Sequence, residues 1–291
     1  MRPPAFPPRP SWQPLLERAL AEDLGSGDAT SNATLPQGAL GEAVVEARAE
    51  LVVCGLPIAE AVFAAVDPAL EVKRERAEGE TCAPAAGDGP LPLLRVRGAL
   101  RAILAAERTA LNFLQRTCGV ATWTRRFVRA VEGTGCRVLD TRKTIPGWRV
   151  LDKYATAVGG AVNHRIGLYD GILIKDNHVA AAGGVEAAVR AARAAAPPGL
   201  RIQVEVESLE QAEAALAAGA EWLLLDNRSP DELRALVARL RGRAVLEASG
   251  GITLANVRAI AETGVDFVSV GALTHSAPAA DLALEIQRVG A

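Results

Sequence analysis

The second half of the chain repeats one pattern: a short apolar run that ends in a polar residue or glycine, then an amphipathic helical stretch, then another run. The runs are RVLD (137–140), GILIK (171–175), IQVEVE (202–207), WLLLD (222–226), AVLEAS (244–249) and FVSVG (267–271). Helical spacing falls between the later ones, near 185–196, 209–218, 231–240 and 254–262. Strand and helix alternating at about 20 to 30 residues build a parallel sheet, either closed into a barrel or open and doubly wound. The residues that end the runs decide between these. Lys175, Glu207, Asp226, Ser249 with Gly250 and Gly251, and Gly271 would converge on one mouth in a barrel, whereas an open sheet would spread them along an edge. Six or seven runs are countable, so the expectation is an α/β barrel that is open, with fewer than eight strands.

The first half reads differently. Residues 12–24 place Leu15, Leu16, Ala19 and Leu20 at helical spacing, with Gly25 as a stop. Between 41 and 100, short alternating pieces surround one helical stretch at 58–66, the pattern of an α+β sandwich domain with an antiparallel sheet. A long helix follows at 100–131, expected to bend or break near Gly119. The domain limits read as 1–116 for the sandwich and 117–274 for the barrel, with 275–291 a C-terminal helix that could pack back on the first domain or against the second. The proline-rich residues 1–10 read as an arm, either ordered or frayed into disorder.

Composition narrows the function. With 49% hydrophobic and 23% charged residues the chain is globular and holds a sizeable core. No apolar stretch of about 18 residues is free of charge, since even 180–196 is cut by Glu186, Arg190 and Arg193. Four prolines in the first eight residues leave no apolar signal-peptide region. A net charge of −2 and 4% aromatic content argue against nucleic acid as a partner. Cys54, Cys82, Cys118 and Cys136 match no metal spacing and read as buried thiols in a reducing cytoplasm.

The chemistry concentrates in LDTRKTIPGWRVLDKYA (139–155) and VGGAVNHRIGLYDGILIKDNHVAAAGG (158–184). Arg142, Lys143, His164, Arg165 and Lys175 sit in or beside strand-end loops, where they can face a common anion; Arg forks and Lys point charges are the usual readers of carboxylate and phosphate. Arg108, on the long helix, adds a further cation. Glu207 and Asp226 end adjacent runs and could hold a hard cation through oxygen and water, or pair with those bases. Glu205 shares a face with Glu207, and one of the two is expected to fill the barrel interior. The glycines after two consecutive late strands offer amides to an anion. His178 and His275 read as packing or capping residues, the four tryptophans as anchors, and Asp28 and Thr30 as turn and cap residues.

These segments, together with AEDLGSGDATS, AERTALNFLQRTCGVAT, EASGGIT and VSVGALTHSAPAADLAL, make the chain resemble the quinolinate phosphoribosyltransferases over nearly its whole length. The resemblance implies a type II phosphoribosyltransferase fold and transfer of phosphoribosyl from phosphoribosyl pyrophosphate (PRPP) to quinolinate with decarboxylation, giving nicotinate mononucleotide, pyrophosphate and CO2 for NAD synthesis. It implies Mg2+ and a cytoplasmic homodimer, or a hexamer built from dimers, with shared sites. By the same resemblance Arg142, His164, Arg165 and Lys175 look like the quinolinate-carboxylate site, with Thr141 beside them and Lys143 and Lys175 near PRPP. Arg108 falls on the arginine that reaches a neighbouring subunit's site. Glu207 and Asp226 fall on the acidic pair near the ribose and Mg2+, and Ser249, Gly250, Gly251 and Gly271 on the loops holding the 5-phosphate. The catalytic set so implied is Lys143, Lys175, Glu207 and Asp226. Two other readings compete: a Schiff-base barrel aldolase using Lys175, which has no need of so many arginines, and an anion-binding relative of the molybdenum-transport-associated type, which the intact TRK, HR, IKDNH and SGG segments oppose.

Overall fold

The computed structural model describes residues 3–84 and 89–290. Two compact units emerge, one from residues 1–125, 145–160 and 277–291, the other from residues 126–144 and 161–276.

The first unit opens with α1 (Gln13–Leu24) and α2 (Ala29–Thr34), whose N-cap Asp28 accepts from the Ser31 amide. It continues through β1 (Leu40–Ala47), β2 (Leu51–Val52), α3 (Leu56–Val66), β3 (Glu71–Arg74), β4 (Thr81–Cys82), β5 (Leu91–Ala99) and α4 (Leu100–Ala130), and regains the chain at α5 (Arg149–Gly159) and β12 (Leu282–Gly290). Strands run β12-β1-β5-β3 in an antiparallel sheet, and one apolar cluster joins Val45, Leu94 and Val96 of the sheet to Phe63, Ile103, Phe113 and Leu151 of the helices.

Two expectations fail here, each for a tertiary reason, and a third that was open is decided. The long helix is unbroken at Gly119: a Cβ there would collide with the carbonyl oxygen of Pro278, so the glycine permits close backbone approach. The terminal segment is a strand, not a helix. Its Leu, Ala and Glu favour a helix in isolation, but β1 supplies a full ladder from Ala47↔Leu282 to Leu40↔Gly290. The proline-rich start is ordered over its described part. Trp12 Nε1 donates to the Pro7 carbonyl at 2.9 Å, and the Phe6 ring meets Trp12 and Tyr154 edge-on at 5.8 and 4.8 Å; Met1 and Arg2 lie outside the described residues.

The second unit alternates β6 (Arg137–Leu139), β7 (Ile172–Ile174), α6 (Asp176–Ala182), α7 (Val185–Ala195), β8 (Ile202–Val206), α8 (Leu209–Ala217), β9 (Trp222–Asp226), α9 (Pro230–Leu240), β10 (Val245–Ser249), α10 (Val257–Ala261), β11 (Phe267–Ser269) and α11 (Ala272–His275). Local chemistry starts the helices: Ser208 caps α8, and Ser229 with Glu232 forms a reciprocal capping box on α9. All six strands are parallel, in the order β6-β11-β10-β9-β8-β7. Among the described residues no ladder joins β6 to β7, although Val162 bridges to Leu139 on the β6 edge, so the barrel is open, as expected. Successive residues alternate between the helices and the interior. At the N-terminal ends of the strands Arg201, Trp222, Phe267 and Arg137 stack in series, with the two rings 4.9 Å apart and the Arg201 guanidinium 4.1 Å from the Trp222 ring.

Gly119→Ala is expected to destabilise the protein by about 1–3 kcal/mol through overpacking, where the same change at an open helical position would stabilise. The urea unfolding midpoint reads the sign directly.

Candidate active site

The strand-end residues of the second unit surround one cavity of about 780 Å³. Thr141, Arg142, Lys143, His164, Arg165, Lys175, Asp226, Ser249, Gly250, Gly251 and Gly271 all line it. The expected set is thus brought together from six segments, with two exceptions. Arg108 belongs to the first unit, on α4, with its side chain 58% exposed and its guanidinium 3.9 Å from Glu107. Glu207 is exposed, and its amide donates to Gln211 Oε1 at 2.7 Å. The carboxylate that faces the cavity from β8 is Glu205. Alternation carries Gln203 and Glu205 inward, but β8 ends at Val206, so the period does not extend to Glu207.

The cavity is polarised. On one side lie the cations that follow β6 and precede β7. The Thr141 hydroxyl accepts from the Lys143 amide at 3.0 Å, and Thr274 Oγ1 donates to the Lys143 carbonyl at 2.8 Å, fixing the backbone that carries Arg142 and Lys143. Buried Asp140 accepts from the His164 amide at 2.8 Å and from Asn163 Nδ2 at 2.7 Å, anchoring the segment that presents Arg165. The Arg165 guanidinium donates to the Gly171 carbonyl at 3.0 Å. Burial, and then the positive charge of Arg142, hold Arg165 below the usual arginine pKa. Arg142 Nε is buried with no hydrogen-bond partner among the described residues. Two guanidiniums that repel one another, one with an unused buried donor, favour an anion between them.

On the opposite side stand Glu205 and Asp226, with Lys175 Nζ 3.7 Å from Glu205. Burial raises the Glu205 carboxyl above the usual range; the Lys175 charge opposes this and the Asp226 charge adds to it. Between the two sides runs the loop after β10. Gly250 has φ 91°, and a Cβ there would strike the Asn227 side chain, so only glycine lets this backbone lie against the loop after β9.

Some lining residues carried no signal that the sequence reading used. His275 was assigned to packing, yet it lines the cavity beside Lys143, with Nδ1 2.6 Å from Ser276 Oγ. Asn227, Glu247 and Thr253 also line it; strand parity would have found Glu247, which lies two before Ser249. His178 does cap, as expected: its Nδ1 accepts from the Lys175 amide at 3.1 Å.

Comparison with known proteins agrees with this geometry. Residues 28–118 match the family described as quinolinate phosphoribosyl transferase, N-terminal domain, and residues 120–285 the corresponding C-terminal domain. A nicotinate-nucleotide pyrophosphorylase (carboxylating) of Mycobacterium leprae is 46% identical over 93% of this chain and 95% of its own length. A probable nicotinate-nucleotide pyrophosphorylase (carboxylating) of Synechocystis sp. is 41% identical over 96% and 95%. The solved structure of the nicotinate-nucleotide pyrophosphorylase from Francisella tularensis superposes with a TM-score of 0.90 at 37% identity, covering 97% of this chain and 98% of that one.

The raised Glu205 carboxyl gives a signed prediction. A folded-state pKa above the unfolded value means that ionised Glu205 disfavours the fold, a cost absent below about pH 4 and full once pH passes the raised value. Glu205→Gln should therefore raise the melting temperature at pH 7, and the gain should vanish near pH 4. Scanning calorimetry at the two pH values checks both halves.

Proposed function

The chain belongs to the quinolinate phosphoribosyltransferase family, and we propose that the polarised cavity of its second unit is where that family's reaction runs. The reaction transfers phosphoribosyl from PRPP to quinolinate and releases pyrophosphate and CO2, leaving nicotinate mononucleotide for NAD synthesis. The observation that carries the placement is the Arg142–Arg165 pair. Quinolinate bears two adjacent carboxylates, and two guanidiniums close enough to repel, one with a buried donor left unsatisfied, suit that charge.

The residues divide the work. Arg142 and Arg165, with His164 and Thr141 beside them, clamp the carboxylates, which holds the pyridine nitrogen in line with the ribose carbon. Ser249, Gly250, Gly251 and Gly271 offer amides and a hydroxyl to the 5-phosphate, where barrels commonly bind phosphate. Lys143 and Lys175 balance the remaining phosphate charge. As the bond from the ribose carbon to pyrophosphate breaks, positive charge grows on the ribose, and Glu205 with Asp226 stabilises it. The pyridine nitrogen closes the new bond. The ring, now quaternary, accepts the electron pair left when the neighbouring carboxylate departs as CO2, and that carbon then takes up a proton. The protein's part in this last step is to hold the ring, and the proton comes from solvent.

Glu205 and Asp226 also fit Mg2+, a hard cation that binds one or two carboxylates plus substrate phosphates and keeps several waters. Among the described residues no cluster of three or more His, Cys, Asp or Glu side chains is built to cage a metal, which suits an ion that arrives with PRPP. When bound, Mg2+ screens the charge of the departing pyrophosphate. Arg108, exposed on α4, is proposed to complete the site of a second copy in a homodimer. Four buried free thiols suit a reducing cytoplasm, and among the described residues no helix is long and apolar enough to cross a membrane.

Purified protein given quinolinate, PRPP and Mg2+ should release CO2 and pyrophosphate in equal amounts, and nicotinate in place of quinolinate should yield neither. Arg142→Ala should raise the quinolinate KM about 10- to 100-fold, the worth of one hydrogen bond to a charged group. Asp226→Ala should mainly lower kcat; an Arg142 variant with unchanged KM removes the clamp from the scheme. Mixing inactive Arg108→Ala with inactive Lys175→Ala should restore activity in hybrid dimers, and no recovery would remove the shared site.

A further inference from the structure

Below the cavity, the barrel interior holds a chain of side-chain hydrogen bonds that substrate chemistry does not require. Glu247 of β10 is fully buried, and an isolated carboxylate there would cost several kcal/mol. Three donors satisfy it: Gln203 Nε2 at 2.6 Å, Trp222 Nε1 at 2.9 Å, and the Ser269 hydroxyl. These come from β8, β9 and β11.

The chain has a direction. A carboxylate only accepts, so the Gln203 amide must present its nitrogen to Glu247 and its oxygen to the other side. There, 2.9 Å from Gln203 Oε1 and 3.6 Å from Glu247 Oε2, beyond hydrogen-bond reach of the latter, lies His164 Nε2, which must then carry the ring proton. The far edge of the ring gives the same assignment independently. His164 Nδ1 lies 2.8 Å from the Arg165 amide, whose N–H donates to it, so Nδ1 bears a lone pair. Both ring nitrogens are engaged by protein groups, and each fixes the state of the other.

We propose that Glu247, acting through Gln203, is a positioning residue for quinolinate: it locks the His164 ring as the Nε2–H tautomer, whose Nδ1 holds the Arg165 amide and so aims the Arg165 guanidinium into the cavity. The lock matters because Arg165 faces a like charge, Arg142, and without an anchored backbone would relax toward solvent. His164 on this account sets the direction of a neighbour rather than serving as one more cation. The inference rests on quinolinate binding at the Arg142–Arg165 pair.

The test reads the ring and the kinetics separately. In ligand-free wild-type protein labelled with 15N-histidine, where three histidines are to be resolved, the His164 resonances should show a protonated Nε2 and an unprotonated Nδ1. A protonated Nδ1 overturns the proposal without reference to activity. Gln203→Leu and Glu247→Gln should each mix the tautomers and raise the quinolinate KM at least about tenfold, the worth of roughly one hydrogen bond, with the PRPP KM within about threefold. Trp222→Phe removes a donor from the same carboxylate but leaves the path to His164, so it should lower the melting temperature while the tautomer and the quinolinate KM hold. Equal losses for both substrates, or a Trp222→Phe effect on quinolinate as large as that of Gln203→Leu, would show general loosening of the barrel and overturn the role. If the buried variants fail to fold, the wild-type resonances still decide. Wild-type protein that ignores quinolinate would instead count against the catalytic reading.

Discussion

The interior of the second unit is organised around a fully buried acidic side chain, that of Glu247. Glu247 cannot reach water, so the interior must bring donors to it, and the donors come from three other strands of the six. An open barrel lacks the continuous ladder that would fix its curvature, and no ladder spans the gap between β6 and β7 among the described residues. Polar bonds across the interior supply part of what closure would have given. They do so directionally, since apolar packing alone tolerates sliding where a carboxylate with three donors does not. The stacked Arg201, Trp222, Phe267 and Arg137 seal the opposite end from the cavity.

Above this floor the fold solves an electrostatic problem that the total charge of −2 conceals. Arg142, Lys143 and Arg165 enter the cavity from the segments after β6 and before β7, and Glu205 and Asp226 from β8 and β9, so charges of both signs are concentrated in one cavity although the molecule as a whole is nearly neutral. Such an arrangement discriminates between the two ends of a reacting pair: one anionic and aromatic, the other gaining positive charge as its leaving group departs. The glycine loop between them contributes dipoles rather than charges, which suits a phosphate that must be held and later released.

Much of this was legible in the residues. Each apolar run after residue 136 became a strand of the expected sheet, and the polar residues that ended the runs, Glu207 excepted, converged on one cavity. Physical events beyond the local pattern account for the rest. Glu207 continues an inward alternation on paper, but the strand stops one residue earlier and leaves Glu205 facing the site. The segment 282–290 carries helix-favouring residues and becomes a strand because β1 offers it a partner. Proline density at the start leaves order and disorder open, and Phe6 and Trp12 decide it by ring contacts that no propensity records. His275 carries no distinguishing neighbour in sequence; only α11 brings it to the cavity wall.

The ladder between β1 and β12 has a consequence for how the protein is made. β1 emerges early in synthesis, yet its outer partner is translated only after the entire parallel sheet, so the first unit's sheet stays one strand short while the barrel is being assembled. Contacts this distant in sequence close slowly. During that interval β1 exposes an unpaired row of amides and carbonyls, the kind of edge that recruits other chains. The arrival of the last nine-residue strand pairs that row and moves the edge of the sheet outward to β12.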